Sequence, residues 1–106
     1  MHVREMNAQE AFHTLNRYRV IDVREPEELL QGAIATAENV PLGRLAHAAA
    51  RWDRDQPILV VCRSGGRSGR GASELVRMGF RTVANLSGGM SSWAAHGLPT
   101  TARHAA

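Results

Sequence analysis

The chain has 106 residues, which suit one domain with one core and leave no room for a second. Hydrophobic residues make up 43% of it and charged residues 22%, as in ordinary soluble proteins, and no apolar run approaches the roughly 18 residues of a transmembrane helix. The formal net charge is +3 with no aromatic residue inside a basic cluster, and the polar N-terminus lacks the apolar block of a signal peptide, so we expect a cytoplasmic protein that binds neither nucleic acid nor membrane.

A single cysteine, Cys62, excludes an internal disulfide, a paired-thiol redox motif and a cysteine-rich zinc site. The histidines are scattered without the spacing of metal ligands, at His2, His13, His47, His96 and His104. We therefore expect no bound metal and no organic cofactor. Nothing in the sequence indicates an oligomeric state.

The first half of the chain predicts short helices that alternate with strands. Asn7 predicts a helix N-cap because Glu10 follows three residues later, as in a capping box. β-Branched residues predict a buried strand, and Pro26 marks the first turn of a short helix. The elements predicted in this half are a helix at 8–16, a strand at 19–23, a helix at 27–31, a weak strand at 35–40 and a helix at 42–52.

The second half contains the strongest predicted strand, the apolar run I-L-V-V at 58–61. Gly79 predicts the end of the helix that follows, and Gly97 predicts the end of the last helix. The elements predicted here are the strand at 58–61, a glycine-rich stretch at 64–71, a helix at 68–78, a strand at 82–86, a helix at 90–96 and a frayed tail at 100–106. The alternation predicts an α/β domain with a mostly parallel sheet.

Cys62 comes directly after the strand at 58–61, at the sheet edge where open α/β proteins bind ligands. Gly65 and Gly66 allow the next residues to curl into a loop whose backbone N–H groups form an anion-binding nest. The helix that follows adds the positive end of its dipole. A positive environment of this kind lowers the pKa of a thiol, and the thiolate is the reactive form.

A cysteine at the end of an apolar run is often only a small buried hydrophobe. The two glycines and two arginines within the next five residues favour a functional cysteine instead. The stretch does not match nucleotide-binding loops, since the chain has no lysine for a P-loop and lacks the pattern G-x-G-x-x-G.

Four motifs in order resemble the rhodanese family, and the resemblance covers about 20–99. They are D-V-R-E at 22–25, C-R-S-G-G-R-S at 62–68, L-S-G-G-M-S-S-W at 86–93 and G-L-P at 97–99. Each motif alone is moderately specific for the family, and the four motifs in this order are highly specific for it.

The resemblance implies a three-layer α/β/α fold with a mainly parallel five-stranded sheet. It also implies a sulfurtransferase in which Cys62 takes a sulfane sulfur from a small anionic donor such as thiosulfate, becomes a persulfide and passes the sulfur to cyanide, a thiol or a partner protein. Arg67 closes the loop in similar enzymes and would steer the anionic donor. The implied substrate-binding residues are Arg63, Ser64, Gly65, Gly66, Arg67 and Ser68, with Asp22 and Arg24 in support.

One segment departs from the family pattern. The family commonly has G-H-I-P-G-A-I-N where this chain has G-A-I-A-T-A-E-N at 32–39. Ala33 replaces the usual histidine, and Glu38 replaces an apolar strand residue. We expect these changes to affect the local turn, the burial of this strand and the rim of the pocket.

Two other functions compete with sulfur transfer. Cysteine phosphatases and arsenate reductases also hold a thiolate in an anion-binding loop, but their loop C-x5-R is one residue longer than the loop from Cys62 to Arg67. A non-catalytic binding module is the second alternative, because many rhodanese-like domains have lost the cysteine. The presence of Cys62 argues against it.

Overall fold

Five parallel strands form one sheet in the computed structural model, which describes residues 2–102. The strands are β1 (Arg4–Met6), β2 (Arg19–Asp22), β3 (Glu38–Asn39), β4 (Ile58–Val61) and β5 (Val83–Leu86), in the order β1-β5-β4-β2-β3. The helices are α1 (Ala8–Thr14), α2 (Leu45–Ala49), α3 (Gly66–Arg77) and α4 (Gly89–Ala95), with 3-10 turns at Leu15–Arg17, Pro26–Gln31 and Leu42–Arg44.

Hydrophobic clusters on both faces of the sheet make the fold a three-layer α/β/α arrangement, as expected. Side chains of a strand point alternately to the two faces. In β4, Leu59 and Val61 therefore pack with α1 and α4, whereas Ile58 and Val60 pack with α2 and α3. No helix in the described part of the chain is long and apolar enough to cross a membrane.

The strand β1 was not predicted, because its sequence is polar and only Met6 is buried. It lies at the sheet edge and pairs with β5, with Arg4 opposite Ala84. An edge strand has one neighbour and needs few apolar residues, so the period-2 pattern that identifies a strand is missing here.

Several predicted boundaries were wrong. The first helix ends at Thr14, and residues 15–17 continue as a 3-10 turn. The short helix predicted at 27–31 is present as a 3-10 helix over Pro26–Gln31, whereas the helix predicted at 42–52 is α-helical only over α2. The most important difference is α3, which begins at Gly66 instead of residue 68. Its first turn therefore lies inside the predicted loop.

The departure at 32–39 leaves a strand of only two residues, β3. Glu38 is exposed at the sheet edge, where its carboxylate accepts hydrogen bonds of 2.7 and 2.9 Å from Arg19 of β2. Ala33 is fully buried and exchanges two backbone hydrogen bonds of 2.9 Å with Thr101. The expected fraying is therefore wrong at Thr101, while residues 103–106 lie outside the described part.

Helix α4 begins against the backbone of the cysteine. The N–H groups of Met90 and Ser91 donate hydrogen bonds of 2.9 Å to the carbonyl oxygens of Cys62 and Arg63. This approach requires glycine at position 89, because a Cβ there would lie 2.5 Å from both carbonyl oxygens. Its φ of +57° also lies in the left-handed region.

Replacement of Gly89 by alanine is expected to destabilise the fold. Gly97 offers a matched control, because its φ of +66° imposes the same backbone strain while a Cβ there has no neighbour within 4 Å. We predict that Gly89→Ala lowers the free energy of unfolding by about 2 kcal/mol more than Gly97→Ala, as measured by urea denaturation. Equal losses would mean that the close approach of α4 adds nothing.

Candidate active site

Cys62 follows β4 at the carboxyl edge of the sheet, between the neighbouring strands β2 and β5. The residue is 1% exposed and belongs to the hydrophobic cluster on the α2 and α3 side. Its Sγ atom therefore lies below the surface, at the base of the loop that follows.

The loop turns at Gly65, whose φ of +106° and ψ of −11° place it in the left-handed region. Gly65 is the N-cap of α3, so the helix begins directly beside the sulfur. The Gly65 N–H donates to Sγ at 3.1 Å, and the buried Ser68 Oγ lies 3.2 Å from the same atom. Both donors come from the glycine loop that the sequence indicated.

Two opposing effects act on the Cys62 thiol. Burial raises its pKa, whereas hydrogen bonds from the Ser68 hydroxyl and from the backbone N–H groups of Ser68, Gly65 and Ser64 lower it. The hydrogen bonds prevail, and the pKa of the thiol lies below its usual value. The thiolate, which is the nucleophilic form, is therefore more populated than in a cysteine with the usual pKa.

Asn85 of β5 contacts the same loop and was missed by sequence reasoning. Its side-chain oxygen accepts a hydrogen bond from the Ser68 hydroxyl. Its Nδ2 lies 3.2 Å from the Gly65 carbonyl oxygen and 3.1 Å from each carboxylate oxygen of Glu5. The one feature of the sequence that could have indicated a role for Asn85 is its polar side chain within the predicted strand 82–86.

Arg67 lies in the first turn of α3 and pairs with Glu28, another residue that sequence reasoning missed. The two guanidinium nitrogens donate to the two carboxylate oxygens at 2.7 and 2.8 Å. This contact lowers the pKa of Glu28 to about 2, and the carboxylate raises the pKa of Arg67. The cation predicted to steer the donor is therefore engaged by an internal anion.

Asp22 and Arg24 form a buried ion pair, with side chains 0% and 4% exposed. Arg24 Nε and Nη2 donate to the Asp22 carboxylate at 2.8 to 3.1 Å. Arg24 also donates to the backbone oxygens of Glu28 and Gly32 at 3.3 and 2.9 Å. The pair thus holds the segment that carries Glu28 and has no direct hydrogen bond to Cys62 in the described structure.

The remaining predicted site residues, Arg63, Ser64 and Gly66, are exposed at the loop surface. Arg63 lines a pocket of about 220 Å³ together with Gly32 and Ser91. Of the segment 32–39, which was expected to affect the rim of the pocket, only Gly32 lines this pocket. Within residues 2–102, no three His, Cys, Asp or Glu side chains cluster as metal ligands would.

Comparisons with known proteins show which family the chain resembles. The model of the rhodanese-like domain matches residues 5–96. A sulfurtransferase of Allochromatium vinosum is 36% identical over 83 residues, which are 78% of each chain. Thiosulfate sulfurtransferase 16, chloroplastic, of Arabidopsis thaliana is 38% identical over 97 residues, covering 80% of this chain and 81% of the relative.

A solved structure extends the similarity to the fold. A rhodanese-related protein of Thermoplasma volcanium superimposes with a TM-score of 0.86 at 34% identity. The match covers 94% of this chain and 99% of that protein.

The pairing of Glu28 with Arg67 predicts a pH dependence of stability. Because the pKa of Glu28 is lowered from 4.5 to about 2 in the folded protein, its contribution is present above pH about 4.5 and is lost as the pH falls toward 2. We expect Glu28→Gln to be less stable at neutral pH and to lose less stability over this window. Urea denaturation between pH 3 and 7 measures both effects.

Glu27, exposed in the same turn, supplies the control. Glu27→Gln should keep the acid-induced loss of the wild type. If Glu28→Gln retained the wild-type profile as well, the ion pair would contribute nothing measurable to stability.

Proposed function

The chain belongs to the rhodanese family, and we propose that it is a sulfurtransferase in which Cys62 carries the sulfur as a persulfide. The donor is a small anion that bears a sulfane sulfur, such as thiosulfate. The acceptor is cyanide, a thiol or a partner protein. No cofactor is needed, because the thiolate and its hydrogen-bond donors supply the chemistry.

The observation that carries this proposal is the set of donors around Sγ. The Gly65 N–H and the Ser68 hydroxyl lie 3.1 and 3.2 Å from it, at the N-terminus of α3. Both donors stabilise a thiolate before the reaction, and the backbone N–H groups at the N-terminus of α3 would stabilise the negatively charged outer sulfur after it.

Both transfer steps are nucleophilic displacements at sulfur. In the first, the Cys62 thiolate attacks the outer sulfur of thiosulfate, the S–S bond of the donor breaks, and sulfite leaves with the electron pair. In the second, the acceptor attacks the outer sulfur of the persulfide. The new S–S bond breaks, and its electron pair returns to Sγ as the thiolate.

An external acceptor is required by composition. Cys62 is the one cysteine of the 106 residues, so no second thiol of the chain can displace the bound sulfur as an internal disulfide. The sulfur therefore leaves only when another molecule enters the site.

Two features disfavour the phosphatase alternative. Arg67 directs both terminal nitrogens to Glu28, so it does not present the free guanidinium fork that a phosphate requires. The cysteine is also 1% exposed, which suits a narrow terminal sulfur better than a tetrahedral phosphate. The lowered thiol pKa in turn favours catalysis over a purely binding module.

The decisive test is the intact mass of the protein after incubation with thiosulfate, before and after addition of cyanide or a thiol. We expect a gain of one sulfur atom that the acceptor removes. Cys62→Ser should show no gain and no turnover while keeping its unfolding midpoint within about 3 °C of the wild type. Persistent turnover in this variant would rule out Cys62 as the carrier, and a folded wild type that gains no sulfur from thiosulfate would contradict thiosulfate as the donor.

Arg67→Ala is expected to weaken use of the anionic donor. The change removes a positive charge that interacts electrostatically with Cys62 and leaves the Glu28 carboxylate without its cation, so we predict a KM for thiosulfate raised about tenfold or more. Steady-state kinetics with thiosulfate and cyanide measure the change. The control Arg70→Ala, one helical step further along α3 and exposed, should alter KM less than about twofold. Equal kinetics in the two variants would contradict a role of Arg67 at the donor.

A further inference from the structure

Asn85 has a defined side-chain orientation, although in the described part of the chain its side chain makes no hydrogen bond to the sulfur itself. The residue is 4% exposed, and its Nδ2 faces the Gly65 carbonyl oxygen at 3.2 Å and both Glu5 carboxylate oxygens at 3.1 Å. Those partners are acceptors, so the group that faces them must be the NH2. The carboxamide oxygen, which can only accept, is thereby aimed at Ser68.

The Ser68 hydroxyl has two acceptors within reach and one proton. It contacts the carboxamide oxygen of Asn85 on one side and Cys62 Sγ at 3.2 Å on the other. Ser68 is fully buried, so solvent water does not replace its hydroxyl as the donor to either acceptor. The hydroxyl therefore donates to Asn85 or to the sulfur, but not to both at once.

We propose that Asn85 is a positioning residue for Cys62: its carboxamide oxygen holds the Ser68 proton while the sulfur is neutral and yields it when the sulfur becomes charged. In the thiol, the S–H donates to Ser68 Oγ and the hydroxyl donates to Asn85. In the thiolate, the hydroxyl turns to Sγ, and the contact with Asn85 loses its proton. Asn85 thus competes with the thiolate for one hydrogen bond.

The same exchange accompanies sulfur transfer, and in this respect the inference rests on the proposed function. When Cys62 carries the sulfur, Sγ is bonded to carbon and sulfur and has no charge, so the Ser68 proton returns to Asn85. When the acceptor removes the outer sulfur, the electron pair of the broken S–S bond returns to Sγ. The hydroxyl then turns back to stabilise this leaving thiolate.

The loop does not depend on Asn85 for its shape. The Gly65 carbonyl oxygen also accepts a hydrogen bond of 3.0 Å from the Gly69 N–H, within α3. Removal of the Asn85 amide therefore leaves Gly65 anchored, and the effect on the sulfur is expected to pass through Ser68.

Charged groups near the site come from three directions. Glu5 of β1 contacts Asn85, Arg67 of α3 interacts electrostatically with Cys62, and Glu28 pairs with Arg67. The buried pair of Asp22 and Arg24 belongs to β2 and to the segment that follows it. A test of Asn85 must hold these charges constant.

The experiment measures the Cys62 pKa from the rate of alkylation by iodoacetamide between pH 5 and 10, where the absence of other cysteines makes the signal specific. Ser68→Ala should raise the pKa, because the thiolate loses a donor. Asn85→Leu, which removes the acceptor and excludes water, should lower the pKa by about half to one unit. In the Ser68→Ala background, Asn85→Leu should leave the pKa unchanged.

A rise of the pKa in Asn85→Leu, or equal shifts with and without Ser68, would overturn the proposal. Asn85→Ala is the second variant, with the same expected direction, and it replaces Asn85→Leu if circular dichroism shows that the leucine variant does not fold. Glu5→Gln is the charge control, and Asn85→Leu should cause the same shift in its background.

The pKa measurement needs no sulfur donor, so the two proposals fail separately. The expected shifts in a protein that forms no persulfide would support the role of Asn85 and contradict sulfur transfer. A protein that transfers sulfur without the expected shifts would keep its function and lose this inference.

Discussion

A charged sulfur at the end of a buried strand would be stabilised mainly by hydrogen-bond donors, because the guanidinium groups of Arg67 and Arg24 are already paired with carboxylates. Arg67 is engaged by Glu28, and Arg24 by Asp22. A buried anion without compensation would cost several kcal/mol. Hydrogen bonds from backbone N–H groups of the loop and from the Ser68 hydroxyl offset this cost, and the start of α3 at Gly66 places them beside the sulfur.

The N–H groups and the carbonyl oxygens of the peptide bonds around Cys62 have different partners. Their N–H side faces the sulfur, as at Gly65, while the carbonyl oxygens of Cys62 and Arg63 accept hydrogen bonds from α4. The left-handed conformation of Gly65 on one side and the absence of a Cβ at Gly89 on the other permit this arrangement. The two glycine motifs of the sequence thus shape a single site, although 20 or more residues separate them.

The ion pairs Asp22–Arg24 and Glu28–Arg67 mainly fix the relative positions of the elements that they connect. Arg24 binds the backbone of the segment that ends at Gly32, and Glu28 of that segment binds the first turn of α3. Burial of a paired charge adds little net stability, whereas loss of one partner leaves the other uncompensated. The arrangement therefore fixes where α3 begins relative to β2, and with it the place of the donors around Sγ.

Local patterns identified the position of Cys62, its glycine loop and most of the sheet, because strand hydrophobicity and the placement of glycines are properties of neighbouring residues. They failed at β1, whose polar sequence is acceptable only at an edge. At Pro26–Gln31 they indicated a short helix without distinguishing its 3-10 form from an α-helix. They placed the start of α3 two residues late, because Gly66 is a poor helix former that the tertiary structure holds in the first turn.

The sequence by itself determined that one thiol lies at the carboxyl end of a buried strand, followed by a glycine-rich loop. Only the tertiary structure decided which groups surround that thiol. Glu28 meets Arg67 across 39 positions, and Asn85 meets Glu5 across 80. Contacts at such separations depend on the order of the strands, which no local pattern encodes, so the partners that set the charge and the hydrogen bonding of Cys62 appear only once the sheet is assembled.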